Sequence, residues 1–286
     1  MFAEHYTKIL YPLQDKVISI FKDSPFYLTG GTALSRGYYN HRYSEDLDYF
    51  INDRSDFKIL CKIQKEKLLY SFKDIYTAYE DDNFARYFIA NDELKIEIIN
   101  DVPSHIGKLV NHPVLGTLDS KENILANKLT ALVDRAAPKD VVDIYFLLND
   151  GLDIKKAIID ANTKAADISQ SKVSKFLKEY NYALLEKEII WVKPIPPNII
   201  RDYFNKVAIT IEQQAEQKIE QQKYDTQELK KDQGQDIERL VQNVIEEARG
   251  NGGTKQQDDD RRVREEREHH ERVQEVKRDN DRGRSR

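Results

Sequence analysis

The apolar side chains that could build a core are concentrated in the first three quarters of the chain. The last quarter, residues 212–286, contains 17 Lys and Arg and 20 Asp and Glu but no Phe or Trp. A segment that is about half charged and so poor in large apolar side chains cannot bury a core of its own. We therefore expect a folded body over 1–211, followed by a charged tail over 212–286 that is helical or disordered.

Net charge and cysteine content exclude several classes of function. The 286 residues carry a formal charge of −5 at pH 7 and include one cysteine, Cys61. An acidic chain does not coat duplex DNA by bulk charge, and one cysteine forms neither an internal disulfide nor a multi-cysteine zinc site. The N-terminus does not read as a signal peptide, and no segment approaches the roughly 20 apolar residues of a membrane span. We expect a cytoplasmic protein with no membrane partner.

The spacing of apolar residues predicts an α+β fold, in which a small α/β domain precedes a helical domain. The predicted elements of the first domain are a helix at 5–22, a strand at 26–29, a helix at 32–39, a strand at 46–51, a helix at 54–72 and strands at 75–79, 84–90 and 94–99. Helices are predicted beyond Pro113 at 123–135, 139–148, 153–163, 171–189 and 199–211. We place the domains at 1–110 and 111–211, before the tail.

Two aspartates on the second predicted strand form the most informative pattern. Successive strand side chains point to opposite faces, so Asp46 and Asp48 share one face. Neighbouring carboxylates repel unless a cation lies between them, and hard oxygen ligands favour Mg²⁺. On the strand at 94–99, Glu97 faces away from the expected core. We expect Glu97 to be the third metal ligand and a base for an incoming hydroxyl, with Asp101, of the same parity, as the alternative.

A glycine pair lies 15 residues before the first of these aspartates. Gly30 and Gly31 end the first strand, and the intervening segment has room for one helix and a return. Backbone N–H groups of a glycine turn at a helix N-terminus approach a phosphate without a Cβ in the way. We expect Thr32 to belong to the same phosphate site, while Arg42 and Ser44 either contact phosphate or cap the loop. A phosphate cradle beside paired carboxylates suits metal-assisted phosphoryl or nucleotidyl transfer.

Two motifs that occur in order carry a family resemblance. The first is LTGGTAL at 28–34 with HRYSEDLDYF at 41–50, and the second is KLTALVDR at 128–135 with KDVVDIYFLL at 139–148. Together they resemble the signature of the AbiEii/AbiGii nucleotidyltransferases, which are abortive-infection toxins of type IV toxin–antitoxin systems. The resemblance covers about residues 20–210 and omits the tail. It implies the polymerase-beta-like nucleotidyltransferase fold.

The resemblance also implies roles for charged residues of the second motif. Lys128 would contact the triphosphate, and Arg135, two helical turns further on, can lie on the same side of its helix. Asp140 would support the nucleotide or the acceptor site. Asp143 is interpreted as structural, a charge at a helix N-terminus that the helix dipole favours.

The implied reaction transfers a nucleoside monophosphate from GTP or another nucleoside triphosphate to an acceptor, with Mg²⁺ held by the three acids. The resemblance suggests an RNA end such as that of tRNA as the acceptor, and a cognate antitoxin protein in a phage-defence pair. Two alternatives stay open at this point. One is nucleotidyl transfer to a small molecule or a protein, and the other is a catalytically silent nucleotide-binding module that acts through its charged tail.

Overall fold

The structure is a computed structural model that describes residues 2–213 and 236–246, together with Arg261 and Arg264. The chain divides into two compact units, Met1–Glu216 and Gln217–Arg286. The first unit combines helices with one mixed sheet, which confirms the predicted mixture of α and β structure.

The helices and strands follow the sequence pattern closely in the first unit. The helices are α1 Phe2–His5, α2 Tyr11–Phe21, α3 Gly30–Thr32, α4 Phe57–Ser71, α5 Lys121–Arg135, α6 Pro138–Asn149, α7 Ile154–Asn162, α8 Gln170–Glu179, α9 Leu184–Glu188 and α10, described over 197–213. The strands are β1 Tyr27–Thr29, β2 Leu47–Asn52, β3 Ile75–Glu80, β4 Phe84–Ile89, β5 Leu94–Asp101, β6 Val110–His112 and β7 Gly116–Leu118. Wider π-helical segments, Tyr6–Leu10 and Ala33–Tyr39, continue α1 and α3.

The seven strands are ordered β3-β4-β5-β2-β1-β7-β6. β2 is central, parallel to β5 and antiparallel to β1. The sheet extends past residue 110, where the sequence pattern suggested a domain boundary, because β7 pairs in parallel with β1 and β6 pairs with β7. These two strands have three residues each, and β6 is largely exposed. Their apolar pattern is too short to predict strands.

Side chains of β2 alternate between a buried face and a second face, which carries Asp48 and is called the functional face. Leu47, Tyr49 and Ile51 are buried, whereas the residues between them are only partly buried. Tyr49 stacks on Phe21 of α2 at a ring-centroid distance of 3.9 Å, so the buried face packs against the N-terminal helices. The opposite face of β2 is therefore the one that carries the acidic side chains.

One predicted helix is divided in two. The expected helix at 171–189 is interrupted between α8 and α9, where Tyr180 has an extended backbone. Tyr182 is buried in this break, and its hydroxyl donates to the carbonyl of Leu177 at 2.6 Å. Burial of that ring and its hydrogen bond favour a turn over a continuous helix.

The second unit is described over a helix at 236–246. The apolar side chains of this helix are exposed, as Ile237, Leu240, Val241, Val244 and Ile245 show. Apart from this helix, two single residues and its first two positions at 212 and 213, the tail predicted at 212–286 lies outside the described residues. Nowhere in the described part of the chain does a helix have the length and apolar character that crossing a membrane requires.

Candidate active site

Three acidic side chains meet on the functional face of the sheet, where β2 and β5 run side by side. The strand register places Asp48 beside Glu97, and Asp46 precedes β2 by one residue on the same face. Asp101 lies at the end of β5 and pairs instead with Lys164, whose Nζ is 2.8 Å from Asp101 Oδ2. Of the two candidates for the third carboxylate, the geometry favours Glu97.

The glycine pair is required by the side chains packed against it. Gly30 has a φ of +67°, and a Cβ at this position would lie 2.6 Å from Asp48 Oδ2. A Cβ on Gly31 would lie 2.5 Å from Arg42 Nη2 and 2.9 Å from Ser44 Oγ. All three distances are shorter than a Cβ tolerates, so only glycine lets the turn after β1 approach these side chains so closely.

Thr32 fastens the glycine turn to the loop that precedes β2. Its side chain is buried, and its hydroxyl bonds to Ser44 Oγ at 3.0 Å and donates to the carbonyl of Asp46. Gln14 of α2 holds the same loop, since its Nε2 donates to the carbonyls of Ser44 and Glu45 at 3.1 and 2.9 Å. Thr32, which the sequence grouped with the phosphate site, thus uses its hydroxyl inside the protein.

Lys128 and Arg135 lie two turns apart on α5 and share one buried partner, Asp140. Lys128 Nζ is 2.8 Å from Asp140 Oδ1, and Arg135 Nε is 3.0 Å from Asp140 Oδ2. Asp140 lies in the first turn of α6 and is fully buried. Its position between the two cations indicates that it orients them toward the functional face.

Asp143 is the centre of a second buried ion network. Arg42 donates to it through Nε and Nη2, both at 2.8 Å, while Lys128 Nζ lies at 2.7 Å and His41 Nε2 at 2.9 Å. Burial acts to raise the pKa of Asp143, but the charges of Arg42 and Lys128 hold it well below its usual range. Asp143 is structural, as the sequence suggested, but through these ion pairs rather than through the helix dipole.

A cavity of about 140 Å³ gathers most of the predicted nucleotide-binding residues. Cationic and acidic groups both line it, and they include Gly31, Arg42, Ser44, Asp46, Asp48, Lys128, Arg135 and Lys139. Lysine and arginine side chains beside a glycine turn suit a polyphosphate. Gly30 and Glu97 line a second cavity on the other side of Asp48.

The charge of Asp48 is only partly offset by its basic neighbours Lys95 and Lys128. Burial is the largest cause that raises the pKa of Asp48, to about 6, and the charges of Glu97 and Asp46 add to it. Within residues 2–213, no lysine or arginine forms an ion pair with this carboxylate. The functional face therefore has an excess of negative charge centred on Asp48.

Two basic residues beside the carboxylates were missed by sequence reasoning. Lys95 Nζ lies 3.1 Å from Asp46 Oδ2 and 3.4 Å from Glu97 Oε2, and Arg86 Nη2 lies 2.6 Å from Glu97 Oε1. Burial acts to lower the pKa of Lys95, but the charges of Asp46 and Glu97 raise it. The alternation of β5 could have revealed Lys95, two residues before Glu97. Arg86 could not have been found in this way, because its position opposite Glu97 follows from the register of β4 against β5.

The carboxylates fit a hard divalent cation in part. Asp46 and Asp48 both line the first cavity, and carboxylate oxygens are the ligands that Mg²⁺ prefers. Within the residues that the structure describes, no three His, Cys, Asp or Glu side chains already surround one metal position. Glu97 instead contacts Arg86 and Lys95, and Lys95 also contacts Asp46. A cation held with Asp48 would therefore have to displace Lys95 from Asp46, and Glu97 could join after leaving its basic partners.

Comparison with known proteins places this site in a family context. A family model described as nucleotidyl transferase AbiEii toxin, type IV toxin–antitoxin system, matches residues 13–276. An uncharacterised protein from Aquifex aeolicus is 23% identical over 195 residues, which are 66% of this chain and 84% of that protein. The crystal structure of JHP933 from Helicobacter pylori covers 74% of this chain and 94% of its own, with 20% identity and a TM-score of 0.50. MenT4, a nucleotidyltransferase toxin from Mycobacterium tuberculosis, covers 71% and 82%, with 13% identity and a TM-score of 0.48.

Proposed function

Because the chain belongs to the AbiEii family of type IV nucleotidyltransferase toxins, we propose that it transfers a nucleoside monophosphate to an RNA end such as that of tRNA. In this reaction the acceptor hydroxyl oxygen bonds to the α-phosphorus of a nucleoside triphosphate. The bond between the α-phosphorus and the oxygen bridging to the β-phosphate breaks, and pyrophosphate leaves. The observation that carries the proposal is that Asp46 and Asp48 line the same cavity as four cationic side chains. These are Arg42, Lys128, Arg135 and Lys139, for which it is named the basic cavity although Glu45 and Glu188 also line it.

The basic cavity is proposed to bind the triphosphate. Lys128 and Arg135 supply charge that α6 orients through Asp140. Arg42 lies against Gly31 and is anchored by Asp143, so its guanidinium is fixed at the cavity wall. Such preorganised cations stabilise negative charge that develops on the phosphates without reorganising during the reaction. Gly30 lets Asp48 reach the point where the α-phosphate would lie.

We propose Mg²⁺ as the cofactor, with Asp46 and Asp48 as ligands and Glu97 as the third. When bound, the cation would neutralise the carboxylates and polarise the α-phosphate. Glu97 is on the sheet face from which an acceptor can approach, and its carboxylate is proposed to take the proton of the acceptor hydroxyl. Both roles require Glu97 to exchange the contacts with Arg86 and Lys95 that it makes in this structure.

The sheet face beside the third carboxylate favours RNA as the acceptor. The rings of Tyr76 and Phe88 stack with centroids 6.4 Å apart, and those of Tyr79 and Phe84 lie 5.9 Å apart. The Arg86 guanidinium is 5.2 Å from the Phe84 ring, and the two tyrosines are 62% and 52% exposed. Unpaired RNA bases stack on exposed aromatic rings and guanidinium planes. A small molecule or a protein side chain would not need so extended an aromatic surface.

We further propose that the activity belongs to a toxin–antitoxin pair used in phage defence. The family supports an antitoxin partner, since the model that matches this chain is that of a type IV toxin. Nucleoside triphosphates and tRNA are cytoplasmic molecules, so we place the reaction in the cytoplasm.

The test is a label-transfer assay with the full-length chain. Purified protein, Mg²⁺ and each α-³²P-labelled nucleoside triphosphate are incubated with total RNA, and growth is followed after induction in cells. We expect labelled RNA and growth inhibition for the wild type, and loss of both for Asp46→Asn and Asp48→Asn. Asp101→Asn is the matched control and should retain both, because Asp101 pairs with Lys164 away from the other acids.

Two outcomes would contradict different parts of the proposal. Full label transfer and toxicity in both Asp46→Asn and Asp48→Asn would remove the catalytic assignment. Label recovered in the protein or small-molecule fraction, with none in RNA, would overturn the acceptor while leaving nucleotidyl transfer in place.

A further inference from the structure

A second cavity, of about 190 Å³, lies between the functional face of the sheet and α5. It shares Asp48, Lys128 and Arg135 with the basic cavity, so the two spaces adjoin at the carboxylates and the cations. Besides Glu97 and Asp140, its other walls include the apolar side chains of Phe50, Ile99, Ile124 and Ala131. A ligand held at the shared residues could therefore extend from the basic cavity onto the apolar wall of the second one.

Helical spacing explains how α5 serves both spaces. Ile124, Asn127 and Ala131 recur at intervals of three and four residues, and so lie on one side of the helix. Lys128 and Arg135 follow the same spacing and lie on the same side. One side of this helix thus presents two apolar groups, an amide and two cations to the two cavities.

Asn127 is the polar group of this cavity that has no explained role. Its side-chain Nδ2 is enclosed and has no hydrogen-bond partner in the part of the chain that the structure describes. Asn123, one turn earlier, differs: its Nδ2 donates to Asp119 at 2.9 Å and its Oδ1 accepts from the N–H of Ile106 at 3.3 Å. An enclosed donor without a partner is costly, by about 1–3 kcal/mol. Asn127 Nδ2 is therefore a donor that a ligand in this cavity could use.

We propose that this cavity binds the nucleobase of the nucleoside triphosphate and that the Asn127 amide binds the hydrogen-bonding edge of the base. The inference rests on the nucleotidyl transfer proposed above. With the phosphates in the basic cavity, the nucleoside continues from the α-phosphate near Asp48. An uncharged flat heterocycle with donors and acceptors at its edge fits apolar walls and one free amide. Asn127 would then be a determinant of nucleotide specificity.

A third cavity also touches the carboxylates but is a poorer site for a base. It adjoins Asp46 and is lined by Glu45, Asp92 and Glu93, together with His5 and Lys95. Charged side chains line both cavities, so charge does not distinguish them. The second cavity has the larger apolar surface and the unpartnered amide of Asn127, and these two features favour it as the site for the base.

The test measures nucleotide binding rather than turnover. Calorimetry with Mg²⁺ compares the full-length wild type, Asn127→Leu and Asn127→Ala, using the α,β-methylene analogues of the four nucleoside triphosphates and inorganic tripolyphosphate. We expect the wild type to prefer one or two bases and the variants to lose that preference by about tenfold, the value of one hydrogen bond to the base edge. Tripolyphosphate affinity should stay the same, because it occupies only the basic cavity.

Two further variants serve as controls for the Asn127 substitutions. Asn111→Leu changes an exposed asparagine on β6 and should leave every affinity unchanged. If the apolar variants fail to fold, as judged by circular dichroism, Asn127→Asp keeps the shape, replaces the donor by an acceptor, and should change which base is preferred.

Three results would overturn the assignment, and none of them is the failure of the proposed function. They are an unchanged order and ratio of the four analogues in the Asn127 variants, an equal loss of tripolyphosphate binding, and a loss of affinity for the RNA acceptor alone in the same calorimetry. The last would place the acceptor's terminal base in this cavity. A wild type that binds nucleotides selectively but transfers no label would contradict the proposed function and leave the cavity assignment standing.

Discussion

The guanidinium of Arg42 and the carboxylate of Asp143 meet through two parallel hydrogen bonds in the protein interior, although 101 residues separate them in the sequence. Arg42 precedes the acidic strand and Asp143 lies on α6, so this pair ties the sheet to the helical part of the first unit. Arg42 also packs against Gly31. The pair therefore positions one wall of the basic cavity as well as joining two parts of the fold.

Asp143→Ala should be among the most destabilising single changes in the first unit. It leaves the charges of Arg42 and Lys128 buried with fewer partners, and removal of one member of a buried pair costs about 3–5 kcal/mol. Urea denaturation at pH 7 measures the loss. Asp56→Asn, which breaks the exposed Arg54–Asp56 pair, is the control and should leave the denaturation midpoint unchanged. Equal midpoints for the two variants would show that the buried network does not stabilise the fold.

Gly30→Ala should impair both stability and label transfer. An alanine at a φ of +67° is strained by about 1–2 kcal/mol. Its Cβ would lie only 2.6 Å from Asp48 Oδ2 and would displace that carboxylate. Gly151→Ala is the matched control, because its φ is +96° but no atom lies within 4 Å of the added Cβ. We expect both variants to lose stability in thermal denaturation and only Gly30→Ala to lose transfer. Normal label transfer by Gly30→Ala would show that the position of Asp48 does not depend on a glycine at residue 30.

Lys95→Met should bind divalent cations more tightly than the wild type. The ammonium of Lys95 lies against Asp46 and Glu97, so a cation that uses these carboxylates has to compete with it. We expect Mn²⁺ affinity, measured by electron paramagnetic resonance, to rise by about tenfold, equivalent to ~1.4 kcal/mol. The metal-free variant should also be less stable, since the carboxylates then repel with less compensation.

The control for this prediction is Lys164→Met, which removes the ammonium that pairs with Asp101. It should leave Mn²⁺ affinity unchanged. Unaltered affinity in Lys95→Met as well would mean that the cation does not use the carboxylates that Lys95 contacts.

Local rules predicted the parts of the site that neighbouring residues encode. Strand alternation placed Asp46 and Asp48 on one face, and the register of β2 with β5 brings Glu97 beside them as parity suggested. The network around Asp143 was beyond such rules, because it joins residues about 100 positions apart that no periodicity relates. Lys95 is an intermediate case. Strand alternation places it on the same face as Glu97, but its contacts with Asp46 and Glu97 are evident only from the distances.

Asp48→Asn should stabilise the metal-free protein at neutral pH while abolishing transfer. The pKa of Asp48 is raised from 3.8 to about 6, chiefly by burial and then by Glu97 and Asp46, so the folded chain binds this proton more tightly than the unfolded chain. Stability must then fall as pH rises from about 4 to 6, and an asparagine removes that loss. Urea denaturation in EDTA should show the variant more stable by about 2–3 kcal/mol at pH 7 and nearly equal to the wild type at pH 4. Asp101→Asn should instead lose stability at pH 7, because it leaves the buried Lys164 unpaired. If the variant is no more stable than the wild type at pH 7, the ionised carboxylate of Asp48 does not destabilise the folded protein.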